Sequence, residues 1–442
     1  ALLGPSIILA GLSIGSGEFV LWPRLTAEWG FQIFWAAWLG VTIQFFLNME
    51  IERWTLATGE SAVTGFFRLA RIWGPAFLVC GTVPWIWPGW ATGAATLLTW
   101  QLGGDVRLLA IGGLVLCGAI LSLGPVVYRT VEVLQTVLVA SIFVLLVILA
   151  LAVVRVEDVL SLFRGIARFG HVPAGIDLPL LLGALAFAGA GGTVNLAQSN
   201  YIKDKGYGMG SYIGRITSPF TGREEGVAQI GFVFPGSPGN LARWQLWWRR
   251  TNLEHFLSFY VLCVLSLGLM CLVAHALLGA GSAPSEGLGF IADQAQRLGD
   301  QLGAPARHAF LLAGIAVLFS TELALLDAVA RVVADVLALR FHGGPGPGLS
   351  RLYFGVLWAL IAFGALVLVV GFDQPFLLLV LSAVLNGFVM FLYSGLLLVL
   401  NLRAFRGPLR PSALRIGALA LAFVFFGSLS LLTLLDRLWG SS

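Results

Sequence analysis

The chain has little charge. Only 11% of its 442 residues are Asp, Glu, Lys or Arg, whereas 58% are hydrophobic and the mean hydropathy is +0.91. A soluble domain of this length needs a far more polar surface, so the composition excludes a soluble protein and is typical of an integral membrane protein. We therefore expect the lipid bilayer to surround most of the chain.

Cysteine is also scarce, and the cysteines are scattered. None of the four forms a close pair at the spacing of metal ligands, and each lies in an apolar stretch: Cys80, Cys117, Cys263 and Cys271. We interpret them as small core residues. The sequence also has no HExxH helix, no metal-ligand cluster and no Ser/His pair placed for catalysis. We therefore expect neither an enzyme nor a cofactor or resident metal.

About eleven apolar segments are long enough to cross a bilayer, which takes roughly 20 helical residues. They cover residues 4–25, 33–58, 76–98, 108–127, 131–154, 178–201, 253–278, 309–339, 352–372, 376–400 and 414–435. Five crossings in each of two sets place the sets in opposite orientations, as in an inverted repeat. We predict a single membrane domain over 1–442, with a first repeat at 1–154, a second at 178–400 and an extra helix at 413–436.

Most Lys and Arg residues fall in connections on one side of this topology. By the positive-inside rule, the N-terminus is expected to be cytoplasmic and the C-terminus external, in a bacterial inner (plasma) membrane. The formal net charge of +4 is therefore explained by the orientation of the chain in the membrane. It does not indicate a basic surface for nucleic acid, and we expect no nucleic-acid partner.

Glycines interrupt two of the apolar segments. The first segment contains Gly15-Ser16-Gly17-Glu18, and the sixth contains Gly189-Ala190-Gly191-Gly192-Thr193. Unwound backbone costs several kcal/mol per unpaired group in lipid, so it persists only where it is buried in protein or lines a cavity. Glycine-broken helices at matching positions of two halves indicate the substrate site of a transporter.

The flanks of these breaks resemble a known family. "GPSIILAGLSIGSGEF", "IERWTLATGES", "YRTVEVLQ" and "GAGGTVNLAQSNY" are similar to signatures of the first, second, fifth and sixth helices of the Nramp family of metal-ion transporters. The resemblance extends over nearly the whole chain. It implies the leucine-transporter fold, an all-helical inverted repeat, and secondary transport of an ion.

The family's metal-binding side chains are replaced in this chain. By the resemblance, its first-helix Asp, Pro, Gly and Asn fall on Gly15, Ser16, Gly17 and Glu18. Its sixth-helix Ala, Met, Pro, first His, Asn and second His fall on Gly189, Gly192, Thr193, Val194, Asn195 and Ser199. Thioether sulfur selects soft or borderline metals, so its loss at Gly192 predicts that transition-metal selectivity is gone.

The altered lining favours a small anion. The substrate-binding candidates are Gly15, Ser16, Gly17, Glu18, Gly189, Gly192, Thr193, Asn195 and Ser199, of which only Glu18 carries a charge. Free N–H groups and the positive dipole ends of the second half-helices are expected to face the substrate. Bicarbonate, which both donates and accepts hydrogen bonds, is the favoured substrate. Alternatives are a divalent cation such as Mg²⁺ or Mn²⁺, and a transport-inactive sensor.

A coupling ion is expected at two places. Glu18 is an intramembrane carboxylate, so it is a candidate holder of H⁺ or Na⁺, although it also suits a helix cap. Ser320 and Thr321 resemble the adjacent hydroxyls that bind Na⁺ in sodium-coupled members of the leucine-transporter fold, although such hydroxyls commonly bond carbonyls of their own helix. Of the histidines, we place only His275 deep in a span, as a satisfied core residue. The sequence leaves the oligomeric state open.

Overall fold

The computed structural model describes residues 4–15, 17–218, 220–222, 230–282, 285–341 and 348–439. These residues form α-helices and short connections, and a single antiparallel bridge between Val126 and Thr217 is their only β pairing. The first half of the chain contains α1 Ser6–Ser13, α2 Trp22–Trp29, α3 Phe34–Thr58, α4 Ala62–Leu69, α5 Trp73–Thr82, α6 Gly89–Leu102, α7 Val106–Leu123, α8 Val127–Val153 and α9 Val156–Ala167.

The second half begins with α10 Leu178–Ala186 and α11 Ala197–Lys205. It continues with α12 Pro238–His255, α13 Leu262–Leu278, α14 Gly289–Leu302, α15 Ala304–Phe341, α16 Gly348–Val370, α17 Pro375–Ala404 and α18 Ala413–Trp439. Three short 3₁₀-helices cover Gly192–Leu196, Gly208–Tyr212 and Gly407–Leu409. Two π-helices cover Gly17–Leu21 and Phe256–Val261.

Local sequence explains where many of these helices begin and end. Asp105 and Asp177 accept hydrogen bonds from the backbone N–H groups of Leu108 and Leu180, and so cap the N-termini of α7 and α10. At the end of α3, Gly59 adopts the left-handed conformation with φ of 73°. That conformation suits glycine because it has no Cβ.

Eight helices in the described part of the chain are long and apolar enough to cross a membrane. The structure thereby contains several apolar spans of an integral membrane protein. Three other expected spans are not among these eight helices. The segment at 33–58 is the 25-residue helix α3, which carries buried Glu50 and Glu52. The segments at 76–98 and 178–201 are each divided into two shorter helices.

The division of segment 76–98 corrects our expectation of a continuous helix. α5 ends at Thr82 and α6 begins at Gly89, with Pro84 and Pro88 between them. Proline lacks the backbone N–H that continues a helix, so the two prolines explain the interruption. The polar connections at 155–177 and 279–307, which lie between the expected spans, contain the helices α9 and α14.

The two glycine-interrupted segments lie together in the interior. α1 packs against α8 and α15, while α10 packs against α17 and the π-helix Gly17–Leu21. The indole N–H of Trp22, on α2, donates to the Ala184 carbonyl of α10 at 2.8 Å. The first and sixth membrane segments are therefore joined next to their interruptions.

Candidate functional site

The first interruption is held by close backbone contacts. α1 ends at Ser13 and the chain resumes as a π-helix at Gly17, while Ser16 lies outside the described residues. A Cβ atom at Gly15 would overlap the side chain of Thr321, and one at Gly17 would overlap the carbonyl oxygen of Phe187. Glycine is therefore required at both positions, because α15 and the sixth segment approach the first segment too closely for a side chain.

The second interruption is a true gap in the helix. α10 ends at Ala186, and the next helical turn is the 3₁₀-helix that begins at Gly192. Gly191 and Gly192 have φ of 78° and 53°. L-amino acids with a side chain rarely adopt these values, so the two glycines permit the chain to turn here.

A single side chain from α3 satisfies the backbone of this gap. The Gln44 amide donates from Nε2 to the carbonyls of Ala186 and Ala188, at 3.0 and 2.8 Å. Its Oε1 accepts from the Gly191 N–H at 3.0 Å and from the Asn195 amide at 3.3 Å. Gln44 is fully buried. It therefore caps the end of α10 and the start of the following turn together.

This contact changes the expected electrostatics of the site. We expected unpaired N–H groups at the break to face an anion, but the Gly191 N–H already donates to Gln44. The prediction of a free N–H is therefore wrong at that position. Gln44 supplies hydrogen bonds to three backbone groups of the unwound segment, so these groups do not need a bound ion as a partner.

Two buried amides lie beside Gly192. A Cβ atom at Gly192 would overlap the side chain of Asn386 on α17. Asn195 donates from Nδ2 to the hydroxyl of Tyr393, also on α17, at 2.9 Å. The Oδ1 atoms of Asn195 and Asn386 are buried and have no hydrogen-bond partner in the described part of the chain. Both oxygens are thus available to a ligand.

The hydroxyls of Thr193 and Ser199 already have protein partners. Thr193 accepts from the indole N–H of Trp85 at 2.7 Å and donates to the Cys80 carbonyl at 3.4 Å. Ser199 donates to the Leu196 carbonyl of its own segment at 2.5 Å. Thr193 therefore links the sixth segment to the break between α5 and α6, whereas the Ser199 hydroxyl bonds locally.

An aromatic group packs beside the second interruption. The ring of Phe187 stacks on that of Trp85, with centroids 5.7 Å apart and planes 19° apart. The ring of Trp90 packs against both of these rings, with its centroid 5.8 Å from that of Phe187 and 5.7 Å from that of Trp85. All three rings are buried. They give the interruption a rigid apolar wall.

Glu18 is directed toward α13. Its Oε1 accepts from the Ser13 hydroxyl at 2.6 Å, and its Oε2 accepts from the Ser266 hydroxyl of α13. Both carboxylate oxygens therefore have donors, and the side chain is fully buried. The contact ties the first segment to α13.

The two hydroxyls expected to bind sodium donate to their own helix. Ser320 and Thr321 each donate to the Val317 carbonyl at 2.9 Å. Thr321 Oγ1 also lies 3.4 Å from the Gly11 carbonyl of α1. The structure thus brings one of the two hydroxyls to a first-segment carbonyl.

Further along α15, a buried ion pair joins this helix to α11. Arg331 donates to both carboxylate oxygens of Asp327 at 3.0 Å and to Asp204 at 2.5 Å. The Tyr353 hydroxyl also donates to Asp327, at 2.7 Å. Asp327 and Arg331 are four residues apart, so they lie on the same face of α15 and can pair within the helix. Only the tertiary structure adds Asp204.

Sequence reasoning missed three residues of this site: Gln44, Asn386 and Tyr393. Each is a polar side chain on a long transmembrane helix, and such residues are rare in membranes and commonly functional. That signal is present in the sequence, but α3 and α17, which carry these residues, are continuous helices. The glycine pattern therefore does not point to them. Their partners lie far away along the chain, so spacing alone does not connect them.

Several solved structures are similar to this chain. No family model matches the sequence, and neither does any curated protein. A mutant of the Eremococcus coleocola manganese transporter matches with a TM-score of 0.70 and 11% identity, over 99% of this chain and 87% of that one. The same transporter in complex with an aromatic bis-isothiourea compound matches with a TM-score of 0.66 and 14% identity, over 99% and 86%.

A second kind of transporter is also similar. Mhp1, a nucleobase-cation-symport-1 family transporter in a closed conformation, matches with a TM-score of 0.57 and 13% identity, over 99% of this chain and 92% of that one. At these identities the similarity shows the fold. The chain has the leucine-transporter fold, as its resemblance to the Nramp family implies.

Proposed function

We propose that this chain is a secondary transporter, and that it moves a small inorganic ion through a site between its first and sixth membrane segments. The fold that it shares with a manganese transporter and a symporter supports this proposal. Alternating access in such folds proceeds around a fixed site at discontinuous helices. The interruptions at Gly15 and Gly192 are such places.

One observation carries the location of the site. The Asn386 side chain lies against Gly192, where a Cβ atom would overlap it, and Asn195 follows three residues later in the same 3₁₀-helix. Neither amide oxygen has a partner in the described residues. Leaving a buried polar atom unpaired costs about 1–3 kcal/mol. Two such atoms at one helix break are best explained by a ligand that donates to them.

For the substrate we favour a small anion, with bicarbonate as the first candidate. Bicarbonate carries one hydroxyl donor and further acceptor oxygens, so it suits a lining of amides that donate and accept. Its single hydroxyl hydrogen would satisfy one of the two unpaired acceptors, Asn195 Oδ1 or Asn386 Oδ1.

A divalent cation is the second candidate, because one similar fold belongs to a manganese transporter. Against it, hard divalent cations favour several carboxylate ligands. Glu18 is the carboxylate that follows the first interruption, and both its oxygens accept from serine hydroxyls. No three His, Cys, Asp or Glu residues in the described part of the chain are grouped to hold a metal ion.

Sodium coupling is part of the proposal. Thr321 Oγ1 and the Gly11 carbonyl bring two neutral oxygens from α15 and α1 to within 3.4 Å. Movement of α1 relative to α15 would separate them. A monovalent cation held between these two helices would therefore favour one arrangement of the first segment.

Uptake by the purified protein in proteoliposomes tests the proposal. Labelled bicarbonate and labelled Mn²⁺ are supplied with and without a sodium gradient, and protein-free vesicles give the baseline for passive entry. We expect bicarbonate uptake above baseline, and a decrease of about tenfold in Asn386→Ala, which corresponds to about 1.4 kcal/mol. The matched control is Ser141→Ala, an exposed position on α8 whose hydroxyl bonds only the Val137 carbonyl of its own helix.

The outcomes separate the alternatives. If the protein takes up Mn²⁺ but no bicarbonate, and if this uptake depends on Glu18, then the substrate is a divalent cation and not an anion. No accumulation of either ion under any gradient would favour a transport-inactive sensor. Equal losses in Asn386→Ala and Ser141→Ala would remove the proposed site.

A further inference from the structure

Two carboxylates and an imidazole meet beside the first turn of α1, in a part of the molecule that the proposed substrate site does not include. We call this group the Glu52 cluster. It is formed by Ser6 of α1, Glu52 of α3, Gln198 of α11, and Glu254 and His255 of α12, and every member is buried. α12 changes to a π-helix directly after His255. Such π turns within helices are frequent at functional sites.

The hydrogen bonds define where one proton lies. The Ser6 hydroxyl donates to Glu254 Oε2 at 2.7 Å, and the Ser6 N–H donates to Glu254 Oε1 at 3.2 Å. His255 Nδ1 lies 2.7 Å from the same hydroxyl oxygen. When Glu254 is ionised, the Ser6 hydroxyl donates to it, so Nδ1 carries the hydrogen of the second bond. A neutral imidazole then has a bare Nε2.

Glu52 has a free acceptor. Its Oε1 accepts from Gln198 Nε2 at 2.7 Å and lies 3.3 Å from His255 Nδ1. Glu52 Oε2 and His255 Nε2 are buried and without a partner in the described residues. Each of these two atoms is able to take a proton. Glu18 differs, because both of its oxygens accept from serine hydroxyls.

The charges around the cluster do not balance. Glu50, two residues before Glu52 on α3, forms ion pairs with Arg53 at 2.8 Å and with Arg415 at 3.2 Å. Three carboxylates thus face two guanidinium groups, which leaves one buried negative charge uncompensated when Glu52 and Glu254 are both ionised. An uncompensated buried charge is strongly unfavourable, and binding a proton removes it.

The remaining neighbours do not supply the missing positive charge. Glu132 forms an ion pair with Lys205 at 2.6 Å, which is balanced by itself. Tyr207 lies near Glu254, since a Cβ at Gly4 would be 2.8 Å from its hydroxyl and 3.1 Å from Glu254 Oε1. Arg250 packs over the Tyr207 ring at 5.8 Å, but it is exposed to solvent, so its charge is screened and does not compensate a buried carboxylate.

We propose that the Glu52 cluster binds one exchangeable proton, shared among Glu52, Glu254 and His255. Binding converts a carboxylate to a carboxylic acid or the imidazole to an imidazolium. The proton comes from hydronium in the surrounding solution, whose O–H bond breaks as the new O–H or N–H bond forms and which leaves as water. Because Ser6 is a member, the proton is linked to the position of α1. Its use as a coupling ion rests on the proposed function, whereas the proton site itself does not.

A polar face of α3 connects this cluster to the substrate site. Gln44, Asn48 and Glu52 are four residues apart in turn, so they lie on one side of the helix over about 12 Å. All three are fully buried, and neither amide atom of Asn48 has a partner in the described part of the chain. The cluster and the sixth-segment break are therefore joined by one buried polar stripe.

Infrared spectroscopy of the purified full chain in lipid tests the proton site without any substrate. Difference spectra between about pH 5 and about pH 9 report carboxyl groups that change protonation in this range, above that of ordinary carboxylates. Ordinary imidazoles also titrate in this range, so the contribution of the cluster is measured as the difference between the wild-type protein and each variant. We expect this contribution to be about one carboxyl or one imidazole per chain. Glu52→Gln and Glu254→Gln should each abolish it, because either substitution balances the charges. The matched control is Glu157→Gln, an exposed residue in the first turn of α9, which should keep it.

Each result decides the inference. A wild-type protein without such a signal overturns it, as does a folded Glu52→Gln or Glu254→Gln protein that titrates like the wild type. If one of the two variants fails to fold, the other still decides. A wild-type protein that titrates as expected but accumulates neither bicarbonate nor Mn²⁺ contradicts the proposed transport and leaves the proton site supported.

Discussion

Replacing Gln44 by Leu should destabilise the protein far more than an ordinary substitution on a membrane helix. Leucine has a similar volume, but it cannot hydrogen-bond. The Ala186 and Ala188 carbonyls, the Gly191 N–H and the Asn195 amide would each lose a bond of 2.8–3.3 Å in a buried site. The change therefore isolates the contribution of hydrogen bonding from that of packing.

The size of the effect follows from these four bonds. Three of the groups are backbone atoms, and each buried group left unpaired costs about 1–3 kcal/mol, or roughly 3–9 kcal/mol in total. Hydrogen bonds measured within membrane proteins average about 0.6 kcal/mol, so a lower estimate for four bonds is about 2 kcal/mol. Water that enters the gap would reduce the loss toward this lower value.

Thermal unfolding in detergent, followed by tryptophan fluorescence, measures the change. The matched control is Gln101→Leu, at the exposed C-terminal end of α6, where the amide bonds His308. We expect the apparent Tm of Gln44→Leu to fall by about 5 °C or more, at roughly 2–4 °C per kcal/mol, and that of Gln101→Leu to stay near the wild type. Equal Tm values for the two variants would refute the view that the hydrogen bonds of Gln44 stabilise the interruption of the sixth segment.

Three further predictions follow from the same contacts. Gly192 has a φ of 53°, and Gly192→Ala places a methyl group against the Asn386 side chain. We expect bicarbonate uptake to be lost and the free energy of unfolding to fall by at least about 1–2 kcal/mol, the cost of a left-handed alanine; uptake at the wild-type rate would contradict this. Arg331→Leu leaves two buried aspartates without their partner, and the loss in unfolding free energy should be about 3–5 kcal/mol. The exposed pair of Arg107 with Asp373 gives the comparison, since Arg107→Leu should leave the unfolding free energy near that of the wild type; similar losses in both variants would show that burial does not decide the effect. Thr321→Val removes a hydroxyl but keeps the shape of the side chain, so uptake should continue while its dependence on a sodium gradient disappears; an unchanged sodium dependence would place the ion elsewhere.

The histidines show how far sequence alone reaches. From hydropathy, His275 lies deepest in a span, and His255 lies at the start of one. In the structure His275 is partly exposed and bonds Asp158 at 3.0 Å, while His255 is fully buried in the Glu52 cluster. The prediction that only His275 lies deep is therefore wrong. Depth along one helix does not reveal which neighbours cover a residue, and packing against α1 and α3 decides it here.

The amino-acid sequence by itself determined what depends on composition and on local spacing. Low charge and long apolar runs made this a helical membrane protein, and glycines at 15, 17, 191 and 192 marked where two helices change direction, because only a residue without Cβ tolerates those contacts and angles. The tertiary structure alone decided which groups occupy the breaks. Gln44 reaches residues more than 140 positions away along the chain, and Asn386 reaches Gly192 from α17. Such contacts arise from the register in which whole helices pack, and no local pattern in the chain records that register.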